Sequence, residues 1–293
     1  MVIAIHGRNF RAEVRHYIER MLHILVHQYH AKLFFSKDFA RLIQKHELQA
    51  YDGQLYYTNH SDLPEVDFFF SVGGDGTMLE SVTHVGARQI PIVGINTGRL
   101  GFLATIAPHE LEDAVHNLYN GYYHFDDRSL IHLDSNCQLF GELNFALNEF
   151  TVTKRDTASM IIVHAYVDGE YLNSYWADGL IISTPTGSTG YSLSCGGPIV
   201  FPRSKNFIIT PVSPHNLSVR PLIISDQSVI SLQVEGRSRY FLASLDSRSE
   251  IIDSSVQIAI SKERFCARLV QMKEHSFMET LRNKLNWGLD VRN

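Results

Sequence analysis

Apolar positions in the first part of the chain follow two alternating rhythms. Short continuous apolar runs, as in strands buried on both faces, occur at Val2–His6, Lys32–Ser36, Val66–Val72 and Ile90–Ile95. Between them, residues recur at helical spacing. Val14, Ile18, Met21, Leu22 and Leu25 form one stripe within Arg11–Gln28, and Lys37–Leu48, Thr77–Val85 and Leu111–Leu118 repeat the pattern. Three consecutive phenylalanines, Phe68, Phe69 and Phe70, make the third run the strongest strand signal. Strands alternating with helices predict a parallel sheet with helices on its faces.

The rhythm changes near Asp126-Asp127-Arg128. From about Ser129 to Arg268 helical spacing is scarce and short alternating runs dominate: Met160–Val167, Glu170–Trp176, Gly179–Ser183, Pro221–Ser225, Val229–Val234, Tyr240–Ser244 and Val256–Ile260. Asp168-Gly169 between the first two predicts a tight hairpin turn. This stretch reads as an all-β domain, sandwich or barrel, with its chemistry in loops. The tail Phe277–Leu289 is helix-like again, with Met278, Leu281, Leu285 and Leu289 on one side. Its return to the first domain gives boundaries at 1–127 plus 269–293 for an α/β, Rossmann-like domain and 128–268 for a β-sandwich-like one.

Composition narrows the function classes. The 293 residues are 44% hydrophobic and 19% charged, which suits a globular core. A net charge of −5 argues against a broad nucleic-acid surface. Apolar runs fall short of the ~20 residues of a membrane span, and Met1–Arg8 reads as a first strand and turn rather than a secretory leader. Three separated cysteines, Cys137, Cys195 and Cys266, suit reduced thiols in a cytoplasmic protein, with Cys195 a small buried residue. His23, His27 and His30 share a helical face without the H-E-x-x-H pattern or a carboxylate partner, so no metal site is expected there.

The segment Gly73-Gly74-Asp75-Gly76-Thr77 lies between a buried strand and a helix, where backbone N–H groups converge and the helix dipole favours negative charge. Glycines let the main chain approach an anion closely. Asp75 would repel phosphates, so a carboxylate there suggests a second role, either holding a metal ion or accepting a proton from an attacking hydroxyl. The loop is neither a Walker A sequence nor the dinucleotide G-x-G-x-x-G fingerprint. Taken alone, it reads equally as a tight turn with Asp75 capping the helix.

These residues resemble the GGDGT signature shared by NAD kinases, diacylglycerol and sphingosine kinases and, more loosely, phosphofructokinases. Four further stretches resemble NAD kinases specifically: Asn96–Leu103 (NTGRLGFL), Asn148-Glu149, Asp178–Tyr191 with its STPTGST core, and His215-x-Leu217-x-x-Arg220-Pro221. They keep the family's order over roughly residues 70 to 250. The resemblance implies a discontinuous α/β domain, a β-rich second domain, and a cleft between them for NAD and ATP. It also implies a divalent cation (Mg²⁺ or Mn²⁺) with the ATP, and homodimers or homotetramers in the cytoplasm.

By the same resemblance Asp75 accepts the proton of the adenosine ribose 2′-hydroxyl, and Gly73, Gly74, Gly76 and Thr77 form the phosphate loop, Gly76 also serving the ribose. Asn148 and Glu149 suit a ribose diol or an adenine edge. Asp178 suits a nicotinamide amide or adenine amino group. Thr186, Thr189, Tyr191 and Ser194 offer hydroxyls and an aromatic face to a polar ring, and the resemblance adds Gly190, Ser192 and Leu193 of the same loop to the NAD-binding residues. Ser188 lacks the glycine spacing of a nucleophile elbow, since position 186 is threonine. Phe102, with Leu103, reads as a wall over the adenine or, with nearly equal weight, as core. Arg248 would bring positive charge to a phosphate.

Two positions depart from the family pattern. Trp176 and Glu80 stand where several relatives are basic, leaving Arg155, Arg248 or a neighbouring subunit as sources of charge for the phosphate. A lipid kinase of the diacylglycerol type would share the glycine signature but needs an apolar site. A nucleotide sensor without turnover would keep the binding motifs.

Overall fold

The structure, a computed structural model, describes residues 1–48, 55–155, 159–272 and 276–286. The chain forms two compact units: Met1–Asp127 with Ala267–Asn293, and Arg128–Cys266.

In the first unit, β1 (Val2–Gly7), β2 (Lys32–Ser36), β3 (Leu55–Tyr57), β4 (Phe68–Gly73) and β5 (Ile92–Asn96) are parallel, in the spatial order β5-β4-β1-β2-β3. The direction of winding reverses between β1 and β4, a topological switch point of the kind that positions ligands at strand C-termini. Gly7 is in register with Val72, so Arg8 leaves β1 level with Gly73. Leu269 and Val270 add a parallel partner to the outer side of β5. One face buries Ile3, Ile5, Phe35, Phe70 and Ile95 against Ile18, Met21 and Leu22 of α1 (Arg15–His23), with Phe39 of α2 (Lys37–Lys45) in the same core. α3 (Asp75–Val85) packs against β4, β5 and β1, and α4 (Leu111–Tyr119) contributes Leu111, Val115 and Leu118 to the core.

The stripe expected on one helix over Arg11–Gln28 is buried, but the backbone is composite. A 3₁₀ turn (Ala12–Val14) leads into α1, and a π turn (Ile24–Gln28) follows, with Tyr29 N–H bonded to Ile24 O at 3.2 Å. The wider turn keeps both Ile24 and Leu25 buried. Helix α3 starts at Asp75, two residues before the expected Thr77. Met78 N–H already bonds Gly74 O at 3.1 Å, so the glycine segment is the first turn of the helix.

The strand β6 (Tyr123–Ser135) runs straight through the change of rhythm at Asp126–Arg128. Beyond it, β8 (Glu149–Lys154) joins β11 (Gly179–Ser183), β12 (Asn206–Val212), β13 (Leu222–Ser225), β15 (Tyr240–Leu245) and β16 (Arg248–Asp253) in an antiparallel sheet ordered β13-β12-β11-β8-β15-β16. In the second unit's other sheet, β10 (Glu170–Ala177), β9 (Ile161–Val167), β14 (Ile230–Gly236) and β17 (Ile258–Met272) run in that order, and the short β7 (Phe145–Ala146) pairs with β6. Phe150, Val152, Leu180, Ile182, Phe207 and Phe241 from one sheet share a core with Val163, Ala165, Ile230, Leu232 and Ile258 from the other. That is a sandwich.

The strands β3, β6, β12 and β16 lie outside the sequence expectation, whereas β8 begins at Glu149, where Asn148-Glu149 reads as a strand start. In β12, Pro211 argues against a central strand, but β13 ends opposite Ile209, so the proline falls where that side is unpaired. In the tail, α6 (Phe277–Leu285) is capped by Ser276, whose hydroxyl accepts from Glu279 N–H at 3.1 Å. Leu289 lies outside the described residues.

The hairpin at Asp168-Gly169 forms as expected, with φ of 52° and 85°. Two successive positive angles define the mirror-image turn that suits strand twist. A Cβ at Gly169 would touch nothing within 4 Å, so only the backbone objects to a side chain. Gly169→Ala should therefore cost about 1 kcal/mol, read as a lower urea midpoint with unchanged slope.

Candidate functional site

In the first unit the glycine segment meets the chain that follows β5. Thr97 N–H bonds Gly73 O at 2.9 Å. The Asn96 side chain closes the next turn, donating to Arg99 O and accepting from Gly98 N–H, both at 2.8 Å. This brings residues 101–104 over the start of α3. Asp75 caps no N–H of its own helix. Its carboxylate accepts instead from the backbone N–H groups of Phe102 (2.9 Å), Leu103 (3.0 Å) and Ala104 (3.3 Å).

Glycine at 101 is required by that approach, because a Cβ there would stand 2.0 Å from Asp75 Oδ1. Gly73 is required by packing, since its Cβ would meet Thr77 Oγ1 at 2.1 Å. Gly74 and Gly76 differ: neither has positive φ, and a Cβ on either would meet no protein atom within 4 Å. Nothing inside the protein asks for glycine at these two positions, which leaves room against the main chain at a helix N-terminus.

Lys284, on α6, was not anticipated from the sequence; a lysine in the last turn of a helix is ordinary. Its Nζ donates to Leu100 O at 2.8 Å, stands 5.3 Å from the centre of the Phe102 ring, and is 3.9 Å from Asp75 Oδ2. Phe277, at the start of α6, lies against the same Phe102, with ring centres 6.1 Å apart. Phe102 is thus half-buried under the C-terminal helix. Glu80 bonds Arg8 at 2.7 Å and His6 at 3.2 Å, so its acidic character answers a cation at the end of β1.

In the second unit the expected residues Asn148, Glu149 and Thr186–Ser194 gather around the start of β8, whereas Asp178, just before β11, stands at the far end of β8 beside Lys154. The loop after β11 is stitched to that start: Thr184 N–H bonds Asn148 O at 2.8 Å and Thr184 Oγ1 donates to Leu147 O at 2.6 Å. Gly187 allows the approach, since a Cβ there would lie 2.2 Å from Asn148 O. Thr186 accepts from Arg128 at 3.2 Å, Ser192 pairs with Thr210 at 2.8 Å, and Asp178 pairs with Lys154 at 2.7 Å. Thr189 and Gly190 are half-buried, as is Leu193, whereas Tyr191 and Ser194 are exposed. Cys195 is half-buried rather than fully so, and burial raises its thiol pKa.

The half-buried Asp246 accepts from the N–H groups of Leu147 (2.9 Å), Asn148 (2.8 Å) and Glu149 (3.1 Å). Arg248 turns its guanidinium onto the carbonyls of Leu143 and Phe145. Its charge is therefore engaged by the backbone leading into β8. Arg155 is exposed just beyond β8, and Trp176 is 47% exposed on β10.

Asn148 Oδ1 and Glu149 Oε2 are buried with no hydrogen-bond partner. Burial pushes Glu149 up to about 8, with the Asp246 charge adding to it and the Tyr191 N–H opposing it. Burial raises Asp246 as well. Asp246 has three amide donors and Arg248 nearby, so the proton of the pair resides on Glu149. Two adjacent orphaned oxygens, one on a carboxyl that is neutral at pH 7, suit a ligand offering both donors and acceptors.

Among the described residues no group of three or more His, Cys, Asp or Glu could hold a metal ion, and no helix is long and apolar enough to cross a membrane. The His23 and His27 rings stand 4.6 Å apart.

Residues 9–123 match the family model described as ATP-NAD kinase N-terminal domain, and residues 147–272 that described as ATP-NAD kinase C-terminal domain. The chain is 52% identical over 293 residues to an NAD kinase of Cytophaga hutchinsonii, covering 100% of both. It is 40% identical over 293 residues to one of Bacteroides fragilis, again over 100% of both. Among solved structures, an NAD kinase from Archaeoglobus fulgidus in complex with ATP aligns with TM-score 0.76 and 26% identity, over 98% of this chain and 99% of that one. Yeast NADH kinase complexed with NADH shares the fold at TM-score 0.88 and 23% identity, over 100% and 89%.

A carboxyl whose folded pKa is about 8, against 4.5 unfolded, stabilises the fold below the unfolded value and loses that contribution as pH rises through 8. Urea unfolding should show stability falling between pH 5 and pH 9, by roughly 2–5 kcal/mol from this group. Glu149→Gln should remove most of that fall, so the variant gains on the wild type as pH rises. Parallel pH curves for the two proteins would assign the fall to other groups.

Proposed function

We infer, from the premise that the chain belongs to the NAD kinase family, that it transfers the γ-phosphoryl group of ATP to the 2′-hydroxyl of the adenosine ribose of NAD, giving NADP. To the first unit we assign the phosphates and the proton. The main chain at Gly73, Gly74, Gly76 and Thr77 offers helix N-terminal N–H groups and unobstructed approach to a polyanion. Asp75 is the proton acceptor.

The observation that carries this assignment is the triple backbone clasp. A carboxylate has about four acceptor directions, and three are taken by Phe102, Leu103 and Ala104, leaving one on Oδ2 for the substrate hydroxyl. A carboxylate so fixed needs no reorganisation when the O–H proton arrives. Transfer itself depends on alignment and charge stabilisation more than on the strength of the base.

The divalent cation, Mg²⁺ or Mn²⁺, fits this arrangement as a companion of the ATP phosphates, which needs few protein ligands. When bound it would withdraw charge from the transferred group. This chain's residues hold the phosphates and the hydroxyl.

To the second unit we assign recognition of NAD. Asn148 Oδ1 and Oε2 of the protonated Glu149 have no hydrogen-bond partner in the protein and are offered to a ligand's polar groups, and Gly190 stands beside both residues, a Cβ there lying 3.1 Å from Glu149 Oε2. We assign Thr186, Thr189, Tyr191, Ser192 and Ser194 to the polar side of this site, Leu193 to the same loop, and Asp178 to the end of β8, where it pairs with Lys154. Arg248 belongs to this group as the residue that fixes the approach to β8. The family pattern supports a homodimer or homotetramer in the cytoplasm, which sedimentation tests for subunit number.

Purified protein should form NADP from NAD, ATP and Mg²⁺. Asp75→Asn should lower kcat by about 10²–10⁴-fold with a smaller change in KM for NAD. A fully active variant would remove the proton acceptor and leave the kinase. Asn148→Ala should instead raise KM for NAD by about tenfold at nearly constant kcat, the pattern of a lost ground-state contact.

A further inference from the structure

A carboxylate beside a triphosphate is a liability. It serves the hydroxyl, but it repels the roughly four negative charges that must come close for transfer. Helix dipole and backbone N–H groups offset part of that repulsion, and neither carries a full charge. Glu80, one turn along the helix from the glycine segment, adds no positive charge and is bonded to Arg8 and His6. Arg248 is engaged with two carbonyls.

The full charge that stands beside Asp75 comes from the far end of the sequence. Lys284 Nζ is 3.9 Å from Asp75 Oδ2, the oxygen that takes only one backbone N–H. The ammonium is held rather than free: it donates to Leu100 O at 2.8 Å and lies 5.3 Å from the Phe102 ring centre. Both anchors belong to the segment whose next amides clasp Asp75, so carboxylate and ammonium are positioned by one stretch of backbone. The Lys284 side chain keeps 34% exposure, enough for its charge to act on a ligand at the loop.

We propose that Lys284 is a positioning residue that neutralises Asp75 toward the ATP phosphates, so that the glycine segment can accept a triphosphate next to the carboxylate. This rests on the reading of the loop as the ATP site. An exposed pair of this kind contributes little to folding by itself. Its value lies in the electrostatics of the bound nucleotide. The C-terminal helix is thereby part of the phosphate site, although no motif marks it.

The test measures ATP affinity by calorimetry in Mg²⁺ buffer without NAD, and NADP formation separately, for wild type, Lys284→Gln, Lys284→Arg, Asp75→Asn and the double variant Asp75→Asn/Lys284→Gln. Glutamine keeps a donor for Leu100 O and loses the charge. Lys284→Gln should weaken ATP binding by about tenfold, and Lys284→Arg should stay within about threefold of wild type. On the Asp75→Asn background the glutamine should change ATP affinity by less than about threefold, because the charge to be neutralised is gone.

Wild-type affinity in Lys284→Gln overturns the proposal. So does an equal loss with and without Asp75, which would mean a lysine acting directly on phosphate. Thermal melting covers the remaining case: Lys284→Gln melting well below wild type while Lys284→Arg does not would give the charge a folding role and overturn the proposal too. Failure of the underlying site assignment reads differently: ATP affinity would then be that of wild type in Asp75→Asn, Lys284→Gln and the double variant alike, whereas at a true ATP site Asp75→Asn shifts it even if Lys284→Gln does not.

Discussion

The first unit's chemistry turns on one clasp, in which Asp75 accepts three successive backbone N–H groups from residues 102–104. That contact fixes two things together. It orients a carboxylate that its own helix leaves uncapped, and it pins the chain beyond β5 over the first turn of α3. Gly101 is glycine because the clasp leaves no room for a Cβ. The Asn96 side chain, bonded to Arg99 and Gly98, shapes the turn that delivers the amides. The N-T-G-R-L-G-F-L run is therefore the receptor for Asp75, which is why the two motifs accompany each other along the chain.

The second unit repeats the device. Asp246, half-buried and with φ of 51°, takes the three successive N–H groups of residues 147–149. Arg248 secures the carbonyls just before them. With the backbone of 147–149 satisfied in this way, the side chains of Asn148 and Glu149 are left to present oxygens that the protein does not use. A half-buried carboxylate shaping a peptide is costly by desolvation. Here three charge-assisted hydrogen bonds offset it, and the neighbouring Glu149 takes a proton rather than add a second charge.

Dependence on backbone clasps decides which parts are legible in the sequence. The parallel strands β1, β2, β4 and β5 and the hairpin at Asp168-Gly169 follow from local periodicity and turn chemistry, and they can be read directly, whereas the three-residue β3 is too short to show a pattern. The start of α3 reads two residues late because glycines and an aspartate look like a loop until the helix is seen to begin with them. The strand β12 is hidden by a proline at a position with no partner on one side. The resemblance names Asp75, Asn148 and Glu149, but the groups that hold them are backbone amides, which leave no mark in side-chain composition. Lys284 is invisible for a different reason: its partners Leu100 and Asp75 are distant in sequence and its own placement in a helix end is commonplace.

A chain of net charge −5 must still accommodate polyanionic ligands. Clustering of arginines and lysines is one solution, and its weakness is that such a cluster binds many anions. Here Arg8 is bonded to Glu80, Lys154 to Asp178 and Arg248 to carbonyls, so these cations are already engaged where they stand. In the proposed site, attraction rests on directional donors: helix N-terminal amides, glycines without side chains, and one ammonium fixed on the same segment that holds the carboxylate. Directional donors discriminate by geometry, so a phosphate gains from them only when it sits where a hydroxyl can also reach Asp75. With the glycine segment as the ATP site, binding and alignment are then the same event. That is the condition under which a weakly basic carboxylate suffices for phosphoryl transfer.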